Sequence, residues 1–240
     1  MNYKKHKTAL QKNGYSIVSG IYSDTEIGQI LSYIENAGTD GNSFLKAKGL
    51  FAIRQLMNVI PKLREILFNQ QLTELLSFLF GTKFFLTKAI YFDKPIASNW
   101  FVAYHQDLSI SVDRKSDLEN YVNWTFKRGQ YGVQPPVHIL QNTITARIHL
   151  DDTGEMNGAL KVIPKSHLKG IYRPEEIDWS REIAQLCEVE KGGVMLMKPL
   201  TFHASGKTGN KMPRRVLHLE FCNQELAEPL KWVERVGVLS

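Results

Sequence analysis

Residues 138–151 constrain the fold most, because apolar and polar side chains alternate along much of this stretch. A period of two places the two sets on opposite faces of a β-strand. The polar face carries Thr145, Arg147 and His149. A strand that presents such groups on one face is typical of the lining of a cavity. The stretch therefore predicts a β-structure that encloses a polar cavity.

The chain divides into a helical first third and a strand-rich remainder. Ser23 and Glu26 have the spacing of a capping box ahead of an apolar stripe with helical period. We therefore predict that residues 1–82 form a mainly helical flank. Later runs of aromatic and β-branched residues, separated by tight turns, are typical of strands. The length suits a single domain over residues 1–240, mainly β with flanking helices (α+β), with its core at residues 83–221.

The composition is that of a globular protein, with 43% hydrophobic and 22% charged residues. The formal net charge of +6 is spread along the chain without a basic block, which argues against a nucleic-acid partner. No apolar run approaches the roughly 18 residues of a membrane span, and the start lacks the apolar region of a signal peptide. We expect a cytoplasmic protein without a membrane partner. Two isolated cysteines, Cys187 and Cys222, predict neither a disulfide framework nor a thiolate zinc site.

A candidate metal site begins with His105 and Asp107, which follow an apolar run that reads as a strand. Residues two apart on a strand point to the same face, so the two side chains can converge on one ion. If the later strands fold into a double-sheet barrel, His203 can join them. Two imidazoles and one carboxylate form the facial triad of non-haem Fe(II) oxygenases. The alternative reading of His105 and Asp107 is a solvated strand end.

Arg214 opens the last clear strand, close in sequence to His203. A guanidinium near such an iron can clamp a carboxylate in bidentate geometry, which a lysine cannot match as well. Ser205, between the two, is a possible hydroxyl donor. The alternative readings are a surface arginine pair for Arg214 and an ordinary turn for Ser205.

The segment 109–136 is polar at first, ends with two prolines, and is predicted to be a long loop. Long loops inside compact domains are often lids or binding loops, so we treat it as a lid-like insertion. Its candidate substrate contacts are Tyr121, Phe126 and Arg128. The alternative is that its aromatic residues pack as a small satellite core.

Four motifs together resemble one known family. They are YHQD at 104–107, ARIHLDDTGEMNGALKVIPKSH at 146–167, FHASG at 202–206 and PRRVLHLEF at 213–221. In this order they resemble the phytanoyl-CoA dioxygenase (PhyH) family of Fe(II)/2-oxoglutarate-dependent oxygenases, over about residues 83–221.

The resemblance implies a double-stranded β-helix, that is, a cupin-like jelly-roll barrel. It implies that His105, Asp107 and His203 bind Fe(II). It also implies that Arg214 and Ser205 bind the distal carboxylate of 2-oxoglutarate. The implied reaction couples oxidative decarboxylation of 2-oxoglutarate by O2, which gives succinate, to hydroxylation of a small organic substrate. The carboxylate at Asp107 disfavours halogenation, because related halogenases carry a small residue there.

Further cavity candidates are less closely tied to the motifs. By resemblance, Trp124 matches an aromatic residue near the cosubstrate. Strand facing suggests Thr145 and Lys88 as cosubstrate contacts and Arg147 as a substrate contact, although a lysine within a strand is commonly an edge residue. Two other functions stay open: a barrel that binds a small ligand without oxidising it, and a zinc-dependent hydrolase on the same fold.

Overall fold

The computed structural model describes most of the chain, namely residues 2–37, 44–47, 50–94, 101–207, 209 and 212–238. Within these residues the α-helices are α1 (Tyr3–Asn13), α2 (Asp24–Glu35), α3 (Leu56–Val59), α4 (Leu63–Leu67), α5 (Gln70–Phe80) and α6 (Val137–Gln141). Short 3-10 helices lie at Glu155–Asn157, Ser166–Lys169 and Pro174–Glu176. None of the helices described has the length and apolar character that crossing a membrane requires.

The strands are β1 (Tyr15–Val18), β2 (Phe44–Ala47), β3 (Leu50–Arg54), β4 (Phe85–Lys94), β5 (Val102–His105), β6 (Ile110–Val112), β7 (Val122–Lys127), β8 (Gln130–Gln134), β9 (Thr143–His149), β10 (Leu160–Val162), β11 (Gln185–Cys187), β12 (Val194–Met197), β13 (His203–Ser205), β14 (Arg214–Cys222) and β15 (Val236–Gly237). The main sheet has the order β1-β12-β9-β14-β4-β3-β2, and β15 also pairs with β4. A minor sheet has the order β11-β10-β13-β5, and a small sheet has the order β6-β8-β7.

The main sheet has an outer face covered by helices and an inner face turned toward the minor sheet. On β14, Leu217 and Leu219 share one apolar core with Ile30 of α2 and Leu75 of α5. On the inner side, Met195 of β12 packs in a cluster with residues of β10 and β11. Two antiparallel sheets that face each other, with helices outside, make the jelly-roll arrangement. The predicted fold class is confirmed.

Helix α2 begins where its sequence predicts. The Ser23 amide donates to Glu26 Oε2 at 2.8 Å, and the Glu26 amide donates to Ser23 Oγ at 3.3 Å, which completes the capping box. The first third is not only helical, because β1, β2 and β3 all join the main sheet. It therefore supplies both the helical cover and edge strands.

Two local expectations differ from the structure. The segment 109–136 is not an irregular loop, because it contains the small sheet formed by β6, β7 and β8. Arg128 and Gly129 connect β7 and β8 with φ angles of 56° and 76°, the backbone of a two-residue type I′ hairpin turn. The alternating stretch 138–151 forms a strand only from Thr143, since α6 precedes it. The turn pairs Gly129 with Arg128, where asparagine is the usual residue of a type I′ turn, so its sequence signal is weak.

Gly192 ties the segment before α2 to the start of β12. It has a φ of 79°, and its carbonyl accepts the Tyr22 amide at 3.0 Å. A Cβ at this position would lie 2.3 Å from the Tyr22 carbonyl oxygen. Only glycine fits both the backbone angle and this close approach.

Gly192→Ala is expected to lower the free energy of unfolding by about 2 kcal/mol or more, because left-handed strain and backbone overlap add. Gly28→Ala is the matched control, since Gly28 lies within α2 and its Cβ would meet no atom within 4 Å. The control should raise stability by about 0.5–1 kcal/mol. Urea denaturation measures both changes, and equal effects of the two substitutions would contradict the account.

Candidate active site

The pairing of β5 with β13 brings the two candidate histidines together. His105 and His203 are direct partners in the antiparallel register, and their ring centroids are 4.3 Å apart. Asp107 lies just beyond β5, where its amide donates to the Pro199 carbonyl at 2.9 Å. The minor sheet therefore fixes all three side chains at one edge.

The three side chains form a compact ligand set. His105 Nε2 lies 3.6 Å from Asp107 Oδ1, and His203 Nε2 lies 3.7 Å from Asp107 Oδ2. One ligand atom from each residue falls within 4.8 Å of the other two. Within the described residues, no other group of three His, Cys, Asp or Glu side chains meets this criterion. The predicted triad is thus assembled in space.

Hydrogen bonds set the tautomer of both imidazoles. His105 Nδ1 lies 2.8 Å from the Ala103 carbonyl oxygen, and His203 Nδ1 lies 3.0 Å from that of Thr201. A carbonyl oxygen only accepts, so Nδ1 carries the proton in each neutral ring and Nε2 presents a lone pair. Both lone pairs face the carboxylate of Asp107, whose buried Oδ2 has no hydrogen-bond partner. A cation among these three acceptors satisfies them all.

The charge states also fit a metal. Burial alone would raise the pKa of Asp107, but the neighbouring His203 and His105 imidazoles hold it well below its usual range. Burial lowers the pKa of His203 to about 4, whereas the pKa of His105 is raised, because its burial is outweighed by the hydrogen bond and charge of Asp107. At neutral pH the site therefore presents one carboxylate and a neutral His203 imidazole, which are the forms that bind metal ions.

Gln106 anchors the segment that carries two of the three ligands. Its side chain is buried. Nε2 donates to the Gly170 and Leu200 carbonyls, each at 2.8 Å, and Oε1 accepts the Tyr172 amide at 3.2 Å. Three hydrogen bonds thus hold the backbone between His105 and Asp107.

A cavity of about 170 Å³ opens beside the triad, between the two sheets. Its lining combines the triad with Phe92, Val102, Arg147, Leu160, Ser205, Arg214, Val216 and His218. The apolar members form part of the wall and the polar members converge on the interior, as in small-molecule sites generally.

Two cations lie close together at one end of the inner face: the half-buried Arg214, which lines this cavity, and the buried Lys94, which lies outside its lining. Arg214 and Lys94 are direct partners in the β14–β4 register, so their side chains share the inner face. Arg214 donates to the Gly158 carbonyl, and Lys94 Nζ donates to the Gly206 carbonyl at 2.6 Å. Among the described residues neither has a carboxylate within 4.0 Å.

The energetics of this pair favour an anion. Burial and the charge of Arg147 lower the pKa of Arg214 to about 9. Burial and the charge of Arg214 lower the pKa of Lys94 to about 8. Arg214 Nε and the nearby Ser205 Oγ are buried without hydrogen-bond partners. An anionic group bound here would supply both the missing charge and the missing acceptors.

A family model, described as Phytanoyl-CoA dioxygenase (PhyH), matches residues 10–216. The chain belongs to this family. It is the family that the four sequence motifs indicated, which places the protein among the iron- and 2-oxoglutarate-dependent oxygenases. No curated protein sequence matches the chain.

Solved structures share the fold of this PhyH protein at low sequence identity. EctD from S. alaskensis, solved with bound Fe, is 17% identical with a TM-score of 0.72, over 94% of this chain and 79% of its own. The epimerase SnoN, solved with Fe3+, alpha ketoglutarate and nogalamycin RO, is 13% identical with a TM-score of 0.68, over 99% of this chain and 95% of its own. The carbocyclase SnoK from nogalamycin biosynthesis is 15% identical with a TM-score of 0.67, over 92% and 84%.

Sequence reasoning on this PhyH protein missed Lys94. It singled out Lys88, which has the same inward facing on β4. The structure pairs Lys88 Nζ with Glu220 Oε1 at 2.7 Å, whereas Lys94 lies across from Arg214. The even spacing from 88 to 94 predicts that both lysines share one face of the strand, but it does not predict which of them lies across from Arg214.

A buried polar chain also escaped the sequence analysis. Arg147 Nη1 lies 3.0 Å from His218 Nδ1, and His218 Nε2 lies 3.0 Å from Glu220 Oε1. Arginine only donates, so the neutral His218 ring carries its proton on Nε2 and donates it to Glu220. Glu220 also accepts from Lys88. These hydrogen bonds connect Arg147, in the cavity beside the triad, to Lys88.

The remaining predicted residues lie away from the triad. Thr145 is buried on the inner face with an unpartnered hydroxyl, but it does not line the cavity. Trp124 Nε1 donates to the Tyr121 carbonyl at 3.1 Å, and both rings pack in the apolar cluster of the small sheet. Phe126 is exposed and packs on Tyr131. Arg128 lines a second cavity, together with Lys88.

Loss of a ligand should abolish tight metal binding. We expect His203→Ala and Asp107→Ala to weaken binding of Fe(II) or Co(II) by at least about 100-fold, because two ligands hold an ion far less tightly than three. His138→Ala is the matched control, since His138 is exposed and lies outside the triad. Equilibrium dialysis measures the affinities. Wild-type affinity in either ligand variant, or equal loss in the control, would rule out the triad.

Proposed function

We propose that the protein is an oxygenase that uses Fe(II), 2-oxoglutarate and O2 to hydroxylate a small organic molecule. The observation that carries the proposal is that the inner side of the protein holds two sets of polar groups that each need a ligand of opposite character. One is the set of three acceptors formed by His105, Asp107 and His203. The other is the pair of cations at the end of the same inner face, the half-buried Arg214 and the buried Lys94.

In this proposal the triad holds Fe(II) through Nε2 of each histidine and a carboxylate oxygen of Asp107. Three protein ligands leave coordination positions open for the cosubstrate and O2. Arg214 and Lys94 bind the distal carboxylate of 2-oxoglutarate, and the Ser205 hydroxyl donates to it. This accounts for the buried Ser205 Oγ and Arg214 Nε atoms, which otherwise lack partners.

The bound iron supplies the redox chemistry, in which one atom of O2 enters succinate, the other enters the substrate, and CO2 leaves. The protein positions the reactants and excludes water. Phe92, Val102 and Leu160 give the cavity an apolar wall close to the triad. Such a wall shields a reactive oxidant from solvent. Arg147, fixed by His218, adds a positive charge beside the carboxylate of Asp107.

The residues also bear on the alternative functions. A zinc-dependent hydrolase or a passive binding barrel has no evident use for two adjacent cations, Arg214 and Lys94, that lack a carboxylate partner among the described residues. Structural relatives that are named an epimerase and a carbocyclase use the fold for other outcomes. We favour hydroxylation because it is the simplest outcome of the proposed chemistry, and product analysis distinguishes the three.

The direct test is formation of succinate. Wild-type protein with Fe(II), ascorbate, 2-oxoglutarate and air should release succinate, and candidate metabolites that stimulate release identify the substrate class. Asp107→Ala should lower the rate at least about 100-fold, since the metal is lost. Zn(II) in place of Fe(II) should give no succinate. Succinate release with Zn(II), or no succinate release by the iron-loaded wild type, would contradict the proposal.

The role of Lys94 predicts a pH dependence for cosubstrate binding. In the free protein Lys94 loses its proton as the pH rises through about 8, so binding a carboxylate then requires uptake of a proton. The affinity for 2-oxoglutarate should fall by up to about tenfold per pH unit above pH 8. Calorimetry with Mn(II)-loaded protein measures this. Lys94→Met should bind more weakly at pH 7 and show a shallower pH dependence, whereas the exposed control Lys62→Met should follow the wild type.

A further inference from the structure

A second cavity of about 210 Å³ lies between the edge of the main sheet and the small sheet. Arg54 and Lys88 line it from the main sheet, and Thr125, Lys127, Arg128 and Gln130 line it from the small sheet. The proposed reaction does not use this cavity. Its position is defined by the small sheet, which the sequence suggested only as a loop.

The register places this cavity on the same inner face as the triad cavity. Arg54 pairs with Ile90, Ile90 pairs with His218, and His218 pairs with Arg147. Directly paired residues project from the same face of a sheet, so these four form one row across the strands. Ile90 lines the second cavity, and its partner His218 lines the first. The two cavities are therefore neighbours along one surface.

The second cavity is cationic. Arg54, Lys88, Lys127 and Arg128 line it, and no acidic residue does. Lys88 is neutralised by Glu220, but Arg54 has no carboxylate within 4.0 Å among the described residues. Burial and the charge of Arg128 lower the pKa of Arg54. A half-buried guanidinium beside a second one favours an anionic ligand.

The two buried carboxylates near this cavity accept hydrogen bonds from groups other than Arg54. Glu220 accepts from Lys88 and His218. Glu234 accepts the amides of Met57 and Ala89 at 3.1 and 2.8 Å. Neither carboxylate lies within 4.0 Å of the Arg54 guanidinium.

Side chains hold the small sheet over the cavity. Gln55 Nε2 donates to Gln130 Oε1 at 3.0 Å, and Gln130 Nε2 donates to Ser111 Oγ. Lys88 Nζ also donates to the Ser109 carbonyl at 2.8 Å. Arg128 occupies a turn position with φ of 56°, where asparagine or glycine is usual. An arginine at this strained position places a cation at the rim.

We propose that this cavity binds an acidic group of the substrate, a carboxylate or a phosphate, while the carbon to be oxidised lies beside the triad. The inference rests on the proposed function for the chemistry at the metal. Arg54 lies two strands from His218, a separation on the order of 10 Å. The substrate class is thus an elongated organic acid or phosphate ester, anchored through its charged end by Arg54 and Arg128.

Anion binding tests the inference in the full chain loaded with Mn(II) and saturated with 2-oxoglutarate, so that the first site is filled. Sulfate serves as the probe for phosphate-like groups and acetate as the probe for carboxylates, and calorimetry measures both. The wild type should bind at least one of them saturably. Arg54→Gln and Arg128→Asn should each weaken that binding by about tenfold or more, because each removes a charged donor. Lys62→Gln, which removes an exposed charge elsewhere, should bind as the wild type does.

The outcomes are distinct. The inference is overturned if neither probe binds the wild type, or if both cavity variants bind like Lys62→Gln. Arg128→Asn suits the hairpin turn, so it decides the question if Arg54→Gln fails to fold, as thermal denaturation would show. Succinate release by the wild type without anion binding would defeat this inference alone. Anion binding at Arg54 without succinate release would instead defeat the proposed function.

Discussion

The pairing of β14 with β4 on one side and β9 on the other decides which side chains meet inside this protein. The alternation along β14 sends Leu217 and Leu219 to the helices and Arg214, His218 and Glu220 to the interior. A slip of one residue would exchange the two sets. The apolar outer core therefore stabilises the register, and the register in turn determines the order of charges on the inner face.

That order places hydrogen-bond acceptors without donors at one position and donors without a carboxylate acceptor at another. At the minor sheet, His105, Asp107 and His203 present acceptors to one another, with both Nδ1 protons bound to backbone carbonyls. At the end of the main sheet, Arg214 and Lys94 present donors without a carboxylate among the described residues. A buried site of this kind is costly unless ligands complete it. The metal and the dicarboxylate proposed here complete the two halves.

Much of this arrangement could be predicted from the sequence, because the motifs place His105, His203 and Arg214 each at one end of a strand with a period of two. The role of Lys94 could not be predicted, since Lys88 lies on the same face of β4. Only the cross-strand partner separates them, Glu220 for one and Arg214 for the other. The small sheet was missed for a different reason: its hairpin turn uses Arg128 where a recognisable turn would carry asparagine. Long-range pairing decided the first case, and an unusual turn residue decided the second.

The central claim is that one inner face holds Fe(II) at the triad and the distal carboxylate of 2-oxoglutarate at Arg214 and Lys94. A crystal structure of the protein with Fe(II) and 2-oxoglutarate, grown without oxygen, tests it most directly. We predict a metal bound by Nε2 of His105 and His203 and by the carboxylate of Asp107, with the distal carboxylate of 2-oxoglutarate in contact with both cations. A metal bound elsewhere, or 2-oxoglutarate anchored in the Arg54 cavity, would contradict the account.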